Sequence, residues 1–222
     1  ARLSTAAQAS DALERTQRLA EVSLPELRHQ VDQVVEQTGL RRATTLAEWS
    51  EQLRMLDGVR AALDVFTPMV FERSVDDMVT ATAGRAWRKE RSLTLPASVR
   101  RRLRKQAQDL LRPGRPVEDL HAELVRVQEQ REIWRRHCQA GGWPRLPDGM
   151  AEIGHTERRV RADLEVVQEA VGAGAGNEDL LALPLDDLID QMRRLGEDPA
   201  ALRVLPERTR ILGELADAGL GA

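Results

Sequence analysis

Apolar residues recur in alternating steps of three and four along two stretches that flank a Gly/Pro-rich break from Gly141 to Gly149. This period places them on one face of a helix, which can pair with a second helix as a coiled coil. Because the break is short, the sequence predicts an antiparallel coiled-coil hairpin over 113–172, with residues 139–149 at its tip. The two seams read Val117, Leu120, Leu124, Val127, Arg131, Trp134 and Cys138, then Met150, Ile153, Glu157, Val160, Leu164, Val167 and Val171.

Two further helices are predicted nearer the N-terminus. Ser23-Leu24-Pro25-Glu26 and Thr45-Leu46-Ala47-Glu48 have the form of a capping box, in which the hydroxyl and the Glu side chain satisfy free backbone N–H groups. Apolar stripes follow both boxes across the short loop 39–45, so we expect an αα-hairpin over 24–65. The stripes are Leu24, Leu27, Val31 and Val34, then Leu46, Trp49, Leu53, Leu56 and Leu63, with Arg60 as a polar interruption.

The fold class predicted from these patterns is all-α, with antiparallel helical hairpins, a coiled coil and a helical bundle as the remainder. Aromatic residues, which strands favour, make up only 3% of the chain. Trp49 and Trp134 lie on apolar stripes and are expected in the core. We predict three regions: a bundle over 1–112 that includes the hairpin 24–65 and a basic helix 96–112, the coiled-coil hairpin 113–172, and short C-terminal helices over 173–222.

Motifs for catalysis and cofactor binding are absent from the sequence. No Gly-x-x-x-x-Gly-Lys-Ser/Thr segment is present to hold a phosphate, and the single cysteine, Cys138, lacks partners at the spacing of a metal site. We therefore expect no catalytic site, cofactor or metal in this chain. A lone thiol fits a reducing compartment, and no apolar run reaches the roughly 18 residues of a membrane helix. These features predict a cytoplasmic protein without membrane contact.

Charge is segregated along the chain, although the formal net charge is only −3. Between Arg85 and Arg115, eleven basic residues are opposed by two acidic ones, whereas ten acidic residues face two arginines between Asp163 and Asp198. A basic helix beside a tryptophan can follow a phosphate backbone while the indole stacks on a base. The alternative is a solvated face that pairs internally with the acidic segment. The predicted nucleic-acid-binding residues are Arg85, Trp87, Arg88, Lys89, Arg91, Arg100, Arg101, Arg102, Arg104 and Lys105.

The predicted hairpin tip carries a second candidate site. Its sequence, Gly141-Gly142-Trp143-Pro144-Arg145-Leu146-Pro147, places a tryptophan in a loop. Such a side chain either folds onto the helix ends or is offered to a partner protein. Trp143 and Arg145 are therefore the predicted partner-binding residues.

The run RRLRKQAQDLLRPGRPVEDLHAELVRVQEQREIWRRHCQAGGWPRLPDGM (101–150) resembles the long helical insert of large actinobacterial superfamily-one helicase-like P-loop ATPases. The segments MVFERSVDDMVTATAGRAW (69–87) and LPERTRILGELADAGL (205–220) share that resemblance. It implies an insert beside the ATPase motifs of a larger chain, in contact with DNA or RNA or with a partner protein. No catalytic residue of the family can be carried over, because its motifs are absent from this sequence.

The predicted function is therefore a non-catalytic helical accessory domain of a helicase-like ATPase that contacts nucleic acid or a partner protein. The alternative is a structural or protein-interaction coiled coil without a nucleic-acid role, in which exposed seam positions would pair with a second copy.

Overall fold

The computed structural model describes residues 6–114, 117–138, 141–171 and 179–197. The predicted all-α class is confirmed, since these ranges contain helices and isolated β-bridges but no strands. None of the described helices is long and apolar enough to cross a membrane. The α-helices are α1 (Ala6–Arg18), α2 (Leu24–Thr38), α3 (Leu46–Val65), α4 (Val75–Thr82), α5 (Arg85–Glu90), α6 (Ala97–Asp109), α7 (Leu120–His137), α8 (Met150–Val171) and α9 (Leu185–Glu197), with 3₁₀ turns at Pro68–Val70 and Leu180–Ala182.

The chain divides into two compact units. Unit 1 falls within Ala1–Gln33, Arg42–Glu51 and Gly149–Ala222, and unit 2 within Val34–Arg41 and Gln52–Asp148. Helices α1, α8 and α9 belong to unit 1 and α4 to α7 to unit 2, while α2 and α3 contribute residues to both.

In unit 1, α1 packs against α8 and α9. Ala12 and Ala170 are buried together in this packing, and small side chains at these positions allow helix backbones to approach closely. The predicted apolar stripe of α8 is confirmed as buried, with Val160, Leu164 and Val167 fully inaccessible to solvent.

A buried carboxylate also fastens α1 to α8. Asp163 keeps only 4% of its side chain exposed, and it accepts hydrogen bonds from Arg15 at 2.6 Å and from Arg18 at 2.9 Å. The pKa of Arg15 is raised, first by its hydrogen bond to Asp11 and further by Asp163. Two cations and several charge-assisted hydrogen bonds compensate for the removal of this carboxylate from water.

The polar residue predicted in the second seam, Glu157, is buried with partners. Its Oε1 accepts hydrogen bonds from the Ser50 hydroxyl at 2.5 Å and from Arg161 at 2.9 Å. Arg161 also donates to the Ser50 hydroxyl. Burying a charged group is tolerated when it is paired in this way, which explains an acidic residue among the apolar positions of α8.

The capping box predicted at Ser23 is wrong. The helix does not start there, because α1 continues into α2 through a π-helical turn, Leu19–Ser23. Ser23 is buried, and its hydroxyl caps no N–H group. Glu26 instead accepts a hydrogen bond from Arg159 of α8 at 2.7 Å.

Pro25 gives a physical reason for the π-helical turn. A proline inside a helix lacks an N–H group, and its ring collides with the carbonyl group four residues earlier. A wider turn before the proline relieves that crowding. The N–H of Leu24 accordingly donates to the carbonyl oxygen of Leu19, five residues back.

The second capping box, before α3, is confirmed in part. The N–H of Glu48 donates to the Thr45 hydroxyl at 3.2 Å, as the motif predicts. The Glu48 carboxylate, however, accepts from the N–H of Thr44 at 2.8 Å instead of that of Thr45. The start of α3 is therefore capped by two consecutive threonines.

In unit 2, α4 packs against α6 and α7. On α6, Leu103, Ala107 and Leu110 are buried and Val99 is half-buried. The stripe of α3 differs from the prediction in its second half, where Val59 and Ala62 are buried and Arg60 is exposed. A step of seven residues is nearly two helical turns, so Leu63 stays on the side of Leu56 and is half-buried, while Val59 and Ala62 widen the buried face.

A glycine permits close packing between α3 and α7. A Cβ atom built on Gly58 would lie 2.5 Å from Oε1 and 2.7 Å from Nε2 of Gln130. Both distances are far inside van der Waals contact, so the amide of Gln130 occupies the space that a side chain at position 58 would need.

The helix packing divides the chain differently from the predicted regions. The region 113–172 is shared between the two units, since α7 packs on α4 in unit 2 and α8 packs on α1 in unit 1. The seam residues Leu124, Val127 and Trp134 of α7 are buried, and so is Trp49 of α3, as predicted for both tryptophans. Apolar period alone predicts which face is buried but carries no information on which helix covers it. Most of the predicted C-terminal region, including the helix at 206–218, lies outside the described residues.

Candidate nucleic-acid interface

The strongest concentration of exposed positive charge lies on α6. Leu103 and Ala107 face the core, and successive residues are about 100° apart around a helix. Arg101 and Lys105 therefore fall on the opposite side and Arg102 on the flank next to them, and all three are exposed. We call these three residues the basic face.

The basic face has no internal counter-ions. Within the described part of the chain, Arg101, Arg102 and Lys105 form no hydrogen bond or ion pair. Arg101 and Lys105 are four residues apart, a spacing at which like charges destabilise a helix by roughly 0.2–0.5 kcal/mol. An anion bound across the pair would remove this repulsion.

Two of the predicted basic residues have a different role. Arg104 donates to the carbonyl oxygen of Ala81 at 2.7 Å, and Arg88 donates to that of Ala83. Both acceptors lie at the C-terminal end of α4, where the carbonyl groups are unpaired and the helix dipole is negative. Arg88 and Arg104 therefore stabilise the end of α4 and are set apart from the basic face.

Trp87 of α5 is half-buried and already in contact with two side chains. The guanidinium carbon of Arg91 lies 4.3 Å from the centre of its ring. The ring of His121 lies edge-to-face with it, 5.0 Å away with the planes at 78°. His121 is held in turn by Nδ1, 3.1 Å from the carbonyl oxygen of Val79. The predicted stacking surface of Trp87 is therefore covered on one side by Arg91.

The remaining predicted basic residues surround α5 and the start of α6. Arg85 and Lys89 are exposed, and Arg100 is half-buried. The chain leaves α5 through Ser92, whose φ of 53° is in the left-handed region. The N–H of Leu93 donates to the carbonyl oxygen of Arg88 at 2.9 Å, which closes the turn in the manner of a Schellman motif.

The acidic segment that could have neutralised this charge has other partners. Asp163 pairs with Arg15 and Arg18, as described above. Asp186 pairs with Arg28 at 3.0 Å, and Asp190 pairs with Arg193 at 3.4 Å. These three acidic residues take arginines from their own unit.

Trp143, the first predicted partner-binding residue, is partly covered. It keeps 44% of its surface exposed, and the guanidinium carbon of Arg131 lies 4.7 Å from the centre of its ring. Arg131 also donates to the carbonyl oxygen of Arg73 at 2.9 Å. Burial lowers the pKa of Arg131, and the neighbouring charge of Arg135 lowers it further.

Arg145, the second predicted partner-binding residue, points at the end of a helix. Its Nε donates to the carbonyl oxygen of Thr38, the last residue of α2, at 3.4 Å. Nearby, the N–H of Asp148 donates to Gln37 Oε1 at 2.8 Å, and Cys138 forms a bridge with Leu40. The described part of the predicted hairpin tip therefore packs onto the end of α2, and Arg145 serves there as a helix cap.

No family model, curated protein or solved structure matched this chain.

The geometry of the basic face suits ionic contact with phosphate groups. Guanidinium groups donate in a planar fork that matches phosphate oxygens, and the ammonium group of Lys105 adds a point charge. In the residues that the structure describes, no group of three His, Cys, Asp or Glu side chains is placed to hold a metal ion. The local chemistry therefore favours anion binding through side-chain cations.

Sequence reasoning missed the part that His121 has in this region. It lies 34 positions after Trp87 in the chain, on the first turn of α7. No local pattern pairs these two residues, because their contact depends on how α7 packs against α4. A histidine at the start of a helix carries no signal for that packing.

Proposed function

We propose that this protein is a non-catalytic helical module that binds the phosphate backbone of nucleic acid through the basic face of α6. The observation that carries this proposal is that Arg101, Arg102 and Lys105 are exposed together and have no counter-ion among the described residues. The resemblance described above suggests its setting, as an accessory region of a cytoplasmic helicase-like ATPase whose remaining chain is its covalent partner.

Release of counter-ions lowers the free energy of binding at this face. Nucleic acids carry a condensed layer of cations, and each protein cation that neutralises a phosphate releases part of it. This contribution does not depend on base sequence, and it gives affinity that falls steeply as salt concentration rises. Three adjacent cations on a rigid helix make this contribution to affinity without the entropic cost of ordering a flexible loop.

The test replaces the basic face by neutral residues of good helix propensity, as Arg101→Gln, Arg102→Gln and Lys105→Gln together. Binding to labelled single- and double-stranded DNA is measured by fluorescence anisotropy across a salt series. We expect weaker binding of both DNA forms by the triple variant. The slope of log affinity against log salt should become shallower by about 2 for a single strand and about 3 for a duplex.

A charge-matched control separates local charge from net charge. Three exposed positive charges are also removed by Arg136→Gln, Arg158→Gln and Arg194→Gln, and these arginines lie outside the basic stretch from Arg85 to Arg115. This control should bind DNA with the wild-type salt slope. Equal losses of DNA affinity in the two triple variants would contradict a defined binding face. Circular dichroism of both variants verifies that their helices remain.

Docking of a partner protein is the second candidate, and the exposed ring of Trp143 favours it. An aromatic side chain held in place by a neighbouring cation provides contact area at little cost in conformational entropy. A complete lack of DNA binding by the wild-type protein at low salt would favour this candidate over the first. The seam residues Leu124, Val127 and Trp134 are already buried, so they do not support pairing with a second copy.

A further inference from the structure

The contact between Arg91 and Trp87 points to a preference for one form of nucleic acid. This inference rests on the proposed function. Trp87 is braced by His121, and Arg91 lies over its ring at 4.3 Å. A guanidinium group has two faces and an edge of N–H donors. The three parts of Arg91 have different surroundings.

The guanidinium carbon of Arg91 lies over the indole, and Nη1 of the same group donates to Glu90 Oε2 at 3.1 Å. Nearly half of the side chain, 47%, remains exposed. A cation over an aromatic ring and an ion pair at its edge both restrict how the plane can turn. The exposed part of this restricted group is accessible to a ligand.

A guanidinium plane presented in this way is a stacking surface for an unpaired nucleobase. Bases inside a duplex are stacked on each other and cannot reach it, whereas bases of a single strand can turn outward. We propose that Arg91, supported by Trp87, stacks on a base and makes this protein prefer single-stranded over duplex nucleic acid. The indole thus acts as the support, and the guanidinium group is the contact surface.

The charge environment agrees with this role. Arg85 and Lys89 are exposed on the same short helix as Trp87, and they supply attraction for phosphates that flank a stacked base. Stacking on every kind of base is possible, so the preference is for strandedness and not for sequence.

The experiment compares two labelled DNA strands of about 16 nucleotides, a length at the upper end of known site sizes for single-strand binders. One strand carries bases, and the other is abasic with the same phosphates. We expect the wild-type protein to bind the base-bearing strand at least about fivefold more tightly. Arg91→Lys keeps the positive charge but removes the plane, so the two strands should then bind about equally.

Arg136→Lys is the matched control, because Arg136 is exposed and lies outside the predicted nucleic-acid-binding residues. This variant should keep the wild-type ratio. Trp87→Leu removes the support and should lower the ratio as Arg91→Lys does, and if it fails to fold, the lysine variant still decides the question.

The outcomes separate this inference from the proposed function. If the wild-type protein binds both strands equally, or if Arg91→Lys keeps the ratio, the stacking role is overturned while backbone binding stands. If neither strand nor a duplex binds at low salt, the proposed function fails, and the stacking role fails with it.

Discussion

Asp163 is the acidic side chain on which two arginines of α1 converge, and it is among the most buried charged groups in the described part of the chain. Its position on α8 gives no sign of this in the sequence, where it is one of many acidic residues in the segment from 163 to 198. The arginines that bind it are some 150 positions earlier, so the pairing follows only from the packing of α1 on α8.

Asp163→Asn should destabilise unit 1. The substitution removes the charge and leaves Arg15 and Arg18 without their carboxylate, which costs about 2 kcal/mol when the cations keep partial contact with water. We expect a lower urea midpoint and faster amide hydrogen exchange in α1. These are measured by urea titration and by hydrogen exchange with mass spectrometry.

Glu165→Gln is the matched control for this substitution. Glu165 lies two residues further along α8, on its exposed side, so its neutralisation should change the midpoint little. Similar midpoints for both variants would mean that the contact between Asp163 and the two arginines contributes nothing to stability.

At the scale of the helices, the packing of α3 on α7 depends on Gly58. A glycine within a helix costs about 1 kcal/mol relative to alanine, and at position 58 the amide of Gln130 occupies the space that a Cβ atom would need. Whether Gly58→Ala raises or lowers the free energy of unfolding should therefore depend on the residue at position 130.

Gly58→Ala alone should lower stability, by about 1 kcal/mol, because the new methyl group collides with the Gln130 amide. In a Gln130→Ala background the collision is absent, and the same change should raise stability by about 1 kcal/mol through helix propensity. A double-mutant cycle by urea unfolding measures this reversal. A stabilising effect in both backgrounds would indicate that Gln130 moves aside without cost.

The turn between α1 and α2 illustrates where local sequence reasoning fails. Ser23 and Glu26 satisfy the pattern of a capping box, but Pro25 is compatible both with a helix start and with a π-helical turn inside a longer helix. Burial decided between them, since Ser23 lies in the core and Glu26 binds Arg159. That information belongs to the contact with α8 and not to the four residues of the motif.

At the scale of the whole molecule, the four tryptophans are distributed over both units and differ in their exposure to solvent. Trp49 and Trp134 are 0% and 1% exposed, whereas Trp143 is 44% exposed and Trp87 is half-buried. The two accessible rings each lie beside an arginine, Arg91 or Arg131.

Fluorescence quenching should therefore depend on the charge of the quencher. Iodide is attracted to the guanidinium groups beside the accessible rings, and caesium is repelled from them. We expect iodide to quench more than caesium at equal ionic strength, and Trp143→Phe to remove the larger part of the iodide effect. Unchanged quenching in Trp143→Phe would contradict the exposure of this ring.

The sequence predicted which faces are buried better than it predicted what covers them. The stripe positions Leu124 on α7 and Val160 on α8 were correctly assigned to the core, because helical period follows burial directly. The pairing of α7 with α8 was inferred from chain order and a short break, and the main partners within the units are α4 and α1. Of the predicted interface, the exposed charges of α6 follow from the same period, whereas the cap formed by Arg104 and the contact of Trp87 with His121 required the tertiary structure.

The basic region also determines how the protein can be attached to a surface. Lys89 and Lys105 are the only lysines in the sequence, and both are exposed, one beside Trp87 and one on the basic face. Coupling through amines would therefore join the molecule to a sensor chip or resin by these two residues or by the α-amino group. Many of the immobilised molecules would then have the basic face and Trp87 turned toward the support. A failure to capture DNA would in that case reflect the orientation of the protein. Attachment through the one thiol, Cys138, or through an affinity tag avoids this masking.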